Sequence, residues 1–214
     1  MKDTDELDVQ RTLISLTILG ESSVWKTQLT LVYTGKDFEQ NDLLTVGYDI
    51  QTKQLTLSNG ITVKLKIWDT AGQERFRNMA AQYVKNTNGI LFVYDISKRV
   101  TFEKINDWIQ LAKSKINLST IPFCIVGNKC DLENEREVTV EEGNEFAKSL
   151  SCPFFETSAK TGDCVHEAFN DIANRAYEHF KDEFNNNANG SIKLDKSKLI
   201  KNKKGCCGKE KKDK

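Results

Sequence analysis

Four short strings in this chain carry residue types that could act on a phosphate and a purine. Gly20-Glu21-Ser22-Ser23-Val24-Trp25-Lys26-Thr27 approaches the pattern G-x-x-x-x-G-K-[ST], in which loop N–H groups and a helix N-terminus cradle phosphates. On that reading Ser22, Ser23, Val24, Trp25, Lys26, Thr27 and Gln28 line the phosphates. Lys26 would neutralise the β and γ groups and take part in catalysis, and the Thr27 hydroxyl would bind Mg²⁺. Trp25 stands where the pattern has its second glycine, and it adds a Cβ and an indole to a tight loop. An ordinary loop-to-helix turn would give the same string.

Asp69-Thr70-Ala71-Gly72-Gln73-Glu74 follows an apolar run. A D-x-x-G there can place the Asp69 carboxylate near Mg²⁺, the Gly72 N–H on a γ-phosphate and the Gln73 amide on an attacking water. Alone, the string also reads as a strand-end turn with a surface Gln. Asn128-Lys129-Cys130-Asp131 is more specific. The Asp131 carboxylate can accept from guanine N1–H and the 2-amino group, whereas adenine has an acceptor at N1 and no such amine. The Lys129 stem can lie along the base and Asn128 can tie loops together. Thr157-Ser158-Ala159-Lys160 is the companion string, with the Ala159 N–H directed at guanine O6. Thr45 lies 19 residues after Lys26 and could offer a hydroxyl to Mg²⁺; Phe38, seven residues before Thr45, could lean on the base edge.

The elements that must hold these strings alternate between strand and helix. Apolar or β-rich runs at 11–19, 49–57, 62–69, 89–96, 122–127 and 153–157 read as strands. Helical patterns fall at 26–33, 73–85, 101–116, 140–150 and 165–180. Asn59-Gly60 predicts a two-residue hairpin with both turn residues at positive φ. The prediction is an α/β fold: a mostly parallel six-stranded sheet with one antiparallel edge strand and helices on both faces. Ligands bind such sheets at the carboxyl ends of the strands, where all four strings lie.

Bulk properties narrow the classes. Apolar residues make up 38% and charged residues 29%, and 31 basic residues balance 31 acidic ones, so overall charge names no partner. No run of 18 apolar residues exists, and the polar start MKDTDELDVQ does not read as a secretory signal. Cys124, Cys130, Cys152, Cys164, Cys206 and Cys207 show no CxxC pairing, which suits a reduced cytosolic compartment. The segment 191–214 holds ten Lys against three acids and no interleaved aromatics, so nucleic acid is not an expected partner. The organisation expected is an extension at 1–8, one domain at 9–183 and a disordered Lys-rich tail at 184–214. His166 and His179 read as surface or packing residues, and Trp108 reads as core.

Together the four strings resemble the P-loop GTPase (G) domain of the Ras superfamily over roughly residues 9–180, and the Rab branch most of all. The stretches 64–77 (KLKIWDTAGQERFR), 89–95 (GILFVYD) and 126–132 (VGNKCDL) carry that likeness. The segment 45–50 resembles the Rab switch I segment, with Ile50 where the family usually has Phe; that residue normally joins Trp68 and Tyr83 in an effector-facing apolar triad. The resemblance implies a monomeric switch that binds GTP or GDP with Mg²⁺, hydrolyses GTP slowly and serves vesicle trafficking. It implies effectors, an exchange factor, a GTPase-activating protein and a GDI-type escort protein. It further implies geranylgeranyl groups on Cys206 and Cys207 and residence between cytosol and the cytoplasmic face of an endomembrane. Seven residues follow Cys207, whereas the family's cysteines sit at or near the end; a solvated tail with two unmodified cysteines is the alternative. The functional alternative is a pseudo-GTPase that binds partners but holds nucleotide weakly because of Trp25. An adenine-nucleotide P-loop enzyme is opposed by Asn128–Asp131.

Overall fold

The computed structural model describes residues 12–38, 48–70, 72 and 82–189. Thr45, Gln73, Cys206 and Cys207 lie outside the described residues, as do the 1–8 extension, most of the expected 73–85 helix and the segment from 190 onward.

Six strands form one sheet: β1 (Leu13–Leu19), β2 (Tyr48–Thr56), β3 (Thr62–Thr70), β4 (Gly89–Asp95), β5 (Phe123–Asn128) and β6 (Phe154–Thr157), in the order β2-β3-β1-β4-β5-β6. Only β2 runs antiparallel, paired with β3 from Tyr48 opposite Thr70 to Thr56 opposite Thr62. The other pairs are parallel, which requires crossover connections rather than tight turns. Among the described residues the helices that supply the layers are α1 (Lys26–Thr34), α2 (Arg99–Glu103), α3 (Ile105–Lys113), α4 (Val140–Ser149) and α5 (Val165–Asn189).

The period-2 geometry of the strands divides the core between two faces. On β4, Leu91 and Val93 join α1 and α5 side chains such as Leu29, Tyr33, Phe169 and Ile172. Ile90, Phe92 and Tyr94 point the other way, into a cluster with Ile105, Trp108, Ile109 and Ala147 from α3 and α4. Every residue of β4 is buried, which is why its sequence is an unbroken apolar run instead of an alternating one.

Three local expectations are corrected. The hairpin at Asn59-Gly60 is not a two-residue turn with both residues at positive φ. The Gly60 N–H donates to Leu57 O and the Leu57 N–H to Ile61 O, so Ser58, Asn59 and Gly60 form a three-residue loop. Only Gly60 is left-handed (φ 84°), and the Asn59 side chain instead accepts from the Ile61 N–H. The single helix expected at 101–116 is two, α2 and α3, parted at Lys104, where the Asp107 N–H reaches back only three residues to Lys104 O. The last helix does not stop at 180: α5 runs to Asn189. Phe184 extends the helix's apolar stripe, with its ring 6.1 Å from Tyr177.

Candidate functional site

The carboxyl ends of β1, β3, β5 and β6 meet on one edge of the sheet, beside the point where the strand order turns outward from β1. Gly20 follows β1 directly, and a Cβ there would come within 2.2 Å of Val93 O. Only glycine lets the chain turn this close to β4 and begin the loop. The loop then returns into α1 through Trp25, whose backbone is left-handed (φ 64°, ψ 39°). Ser23 is left-handed as well (φ 63°). Both stand in conformations that cost an L-residue about 1–2 kcal/mol relative to glycine.

Lys26 opens α1 and is buried. Its Nζ donates to Gly20 O at 3.0 Å and to Glu21 O at 2.7 Å, so the loop closes around the ammonium. Burial pulls its pKa down to about 8, against the opposing pull of the Asp69 and Glu21 carboxylates. A cation held this way, among carbonyl oxygens and away from water, suits an anionic ligand. Thr27 Oγ1 donates to Asp69 Oδ2 at 2.5 Å. This hydroxyl and carboxylate are hard oxygen donors converging from α1 and β3, and they fit Mg²⁺, which takes one or two protein ligands and completes its shell with phosphate and water. Gly72 packs its backbone against the same loop: a Cβ there would lie 2.4 Å from Glu21 C and 2.5 Å from Ser22 N.

Asn128 binds three loops together. Its Nδ2 donates to Val24 O at 2.9 Å, while its Oδ1 accepts from Thr157 Oγ1 at 3.1 Å and from the Ala159 N–H at 3.2 Å. The Ala159 N–H, expected to face a base, is therefore engaged by Asn128 in this structure. Ser158 Oγ donates to Asp131 Oδ1 at 2.6 Å and fixes that carboxylate, with Lys160 Nζ 3.9 Å from Oδ2. Lys129 is left-handed (φ 68°), and its ammonium lies 2.8 Å from the buried Asp95 Oδ2. The Trp25 ring is 4.9 Å from the Phe38 ring, and Lys129 Nζ stands 4.3 Å from the indole centroid. Gln28 is buried on α1, whereas Ser22 is half-buried and Ser23 exposed.

The edge therefore combines a buried cation within a turn, a hydroxyl–carboxylate pair, an anchored carboxylate and an aromatic pair under the Lys129 ammonium. A sequence model of the Ras family matches residues 15–178. The chain belongs to the Ras family. Ras-family small GTPases generally bind GTP, GDP and Mg²⁺, and the site edge, its loops and all of the sheet but Leu13 and Ile14 fall within the matched span.

Within this Ras-family domain some site residues escaped the sequence reading. Trp108 is core, fully buried as expected, but its Nε1 also donates to Glu21 Oε1 at 3.0 Å and so pins the phosphate loop from α3. No sequence signal joins two residues 87 positions apart. Asp95, the ion-pair partner of Lys129, is the last residue of an apolar strand, and its chemistry is legible only as a charge breaking that run. On the switch face Ile50 lies directly opposite Trp68 in the β2–β3 pairing, and a further ring joins the group. Tyr48, two residues earlier on the same face of β2, lies 5.6 Å from the Trp68 ring and 4.5 Å from the Tyr83 ring.

Proposed function

We propose that this chain is a Rab-like guanine-nucleotide switch that binds GTP and GDP with Mg²⁺, hydrolyses GTP slowly and recruits effectors in vesicle trafficking. The observation that carries this reading is the junction at Asn128. One side chain joins the phosphate loop at Val24 to the loops of Asp131 and Ala159, so phosphate and base recognition are built as one unit. Asp131 selects guanine through its carboxylate, which Ser158 orients. Lys26 draws charge from the β and γ phosphates. Thr27 and Asp69, with Thr45, would hold Mg²⁺, which when bound neutralises charge developing on the phosphates. Gln73 orients the attacking water and the Gly72 N–H meets the γ-phosphate. Loss of that phosphate releases both loops, and with them the surface around Tyr48, Trp68 and Tyr83 that an effector reads.

The chain acts as a monomer, served by an exchange factor, a GTPase-activating protein and a GDI-type escort. Geranylgeranyl groups on Cys206 and Cys207, beside the Lys-rich segment, would hold it on the cytoplasmic face of an endomembrane. The test is single-turnover GTP hydrolysis. Gln73→Leu should keep GTP binding while slowing hydrolysis about tenfold or more, the effect of losing roughly 1.4 kcal/mol of transition-state stabilisation. Equal rates would remove Gln73 from the mechanism.

One observation favours a second reading, a pseudo-GTPase that holds nucleotide weakly. Ser23 and Trp25 occupy left-handed positions with full side chains, and one of those side chains is an indole.

A further inference from the structure

Trp25 does not point its ring away from the site. The indole centroid lies 4.9 Å from the Phe38 ring, tilted 57° to it, and 4.3 Å from Lys129 Nζ. Phe38 offers an aromatic face and Lys129 a cation, the two kinds of contact that recognise a flat π-system. Lys129 is held in place by Asp95 at 2.8 Å, and the chain places the anchored carboxylate of Asp131 only two residues further on. The indole is a bicyclic aromatic of nearly the same outline as a purine. Its backbone is held by the left-handed N-cap of α1, and the residue is half-buried with its side chain packed against the edge of the core, so displacing the ring needs a change of χ1 and χ2 and not of that backbone.

We propose that the Trp25 indole is an internal occupant of the base slot. It packs at a tilt against Phe38 and lies beneath the Lys129 ammonium, between the two groups that would contact a guanine ring, and nucleotide enters only when the ring swings out. This rests on the reading of the site as a guanine-nucleotide site. Trp25 thereby sets occupancy: the competent state is the fraction of molecules with the ring displaced, and apparent affinity falls in proportion to that fraction. Contacts of this kind hold the closed state by a factor of about 10 to 100. An exchange factor or effector that draws the indole aside would load the protein without touching the phosphates.

The test compares GDP dissociation constants for the full chain, Trp25→Ala and Trp25→Gly by calorimetry in Mg²⁺ buffer. In parallel, ¹⁹F spectra of 5-fluorotryptophan-labelled protein are recorded, with the Trp25 resonance assigned by its loss in Trp25→Ala. Trp25→Ala keeps a side chain in the left-handed conformation and removes only the ring. The proposal predicts that it binds GDP about 10- to 100-fold more tightly than the natural chain, and that saturating GDP shifts the Trp25 resonance of the natural chain. Equal constants for the natural chain and Trp25→Ala overturn it. So does a gain confined to Trp25→Gly, which would place the obstacle in the backbone or Cβ. Should Trp25→Ala fail to fold, the ¹⁹F arm on the natural chain decides, with the resonance assigned by its loss in Trp25→Gly: no shift at saturating GDP overturns the proposal. If none of the three binds GDP, the guanine-nucleotide reading itself fails and the plug falls with it.

Discussion

At the residue scale, the strain and charge of this domain gather at one edge. Three of its left-handed non-glycine residues, Ser23, Trp25 and Lys129, stand in the phosphate and base loops, where conformations that cost free energy persist only because neighbours over-determine them. The cysteines show how differently the interior treats an ionisable group. Burial raises the Cys152 thiol to about 11, and burial together with the Glu156, Asp163 and Asp131 carboxylates raises Cys130 to about 11. Folded thiols that keep their protons longer than unfolded ones contribute stability that is complete below about pH 8.5 and is lost as pH rises through 11. Alkylation read by peptide mass spectrometry should label exposed Cys164 at neutral pH and reach Cys130 and Cys152 only as pH approaches their raised values. Labelling of Cys152 as fast as Cys164 at neutral pH would show that its surroundings open to solvent.

At the scale of elements, α4 shows how packing reaches the site from a distance. The helix starts with a capping box: Thr139 accepts from the Glu142 N–H and Glu142 accepts from the Thr139 N–H. In its middle Gly143 lies so close to β6 that a Cβ would come within 2.5 Å of Phe154 Cζ and 2.6 Å of Tyr94 Oη. Phe154 begins the strand that ends at Thr157 and delivers Ser158 to Asp131. Gly143→Ala should therefore destabilise the fold by about 1–2 kcal/mol, because overpacking outweighs alanine's roughly 1 kcal/mol advantage within a helix. Urea unfolding would show a lower midpoint with an unchanged slope, and a higher midpoint would mean that α4 stands off from β6.

Much of this architecture was legible from sequence because local pattern and tertiary environment agree. The apolar run of β4 reflects burial on both faces, and the strand–loop–helix order around Gly20 and Lys26 was visible from composition alone. Asn128 and Asp131 were legible because their side-chain chemistry at the end of a strand admits few other uses. Long-range partnerships were not. Nothing near Trp108 announces Glu21, and nothing near Tyr48 announces that its ring would stand with Trp68 and Tyr83. Trp25 could be read as a departure from glycine, but the direction of its ring depends on a left-handed backbone and on Phe38 and Lys129, which arrive from other parts of the chain. The hairpin loop and the break at Lys104 were missed because each depends on which hydrogen bond closes, not on residue type.

At the scale of the whole molecule, a Ras-family sheet brings the 20–27 loop, the Thr27–Asp69 pair and the loops of Asp131 and Ala159 to one edge, and Asn128 joins the first of these loops to the last. A ligand that bridges those loops binds the folded state alone, so it must raise the unfolding temperature in proportion to how well it fits them all. The most direct measurement of the central claim is thermal unfolding of the full chain in Mg²⁺ buffer with millimolar GDP or ADP, beside the same pair on Asp131→Ala. The account predicts that GDP raises the midpoint of the natural chain, that ADP does not, and that Asp131→Ala loses most of the GDP effect while unfolding normally without nucleotide. Equal shifts from GDP and ADP, or a GDP shift that survives Asp131→Ala, would contradict a guanine site built on that carboxylate.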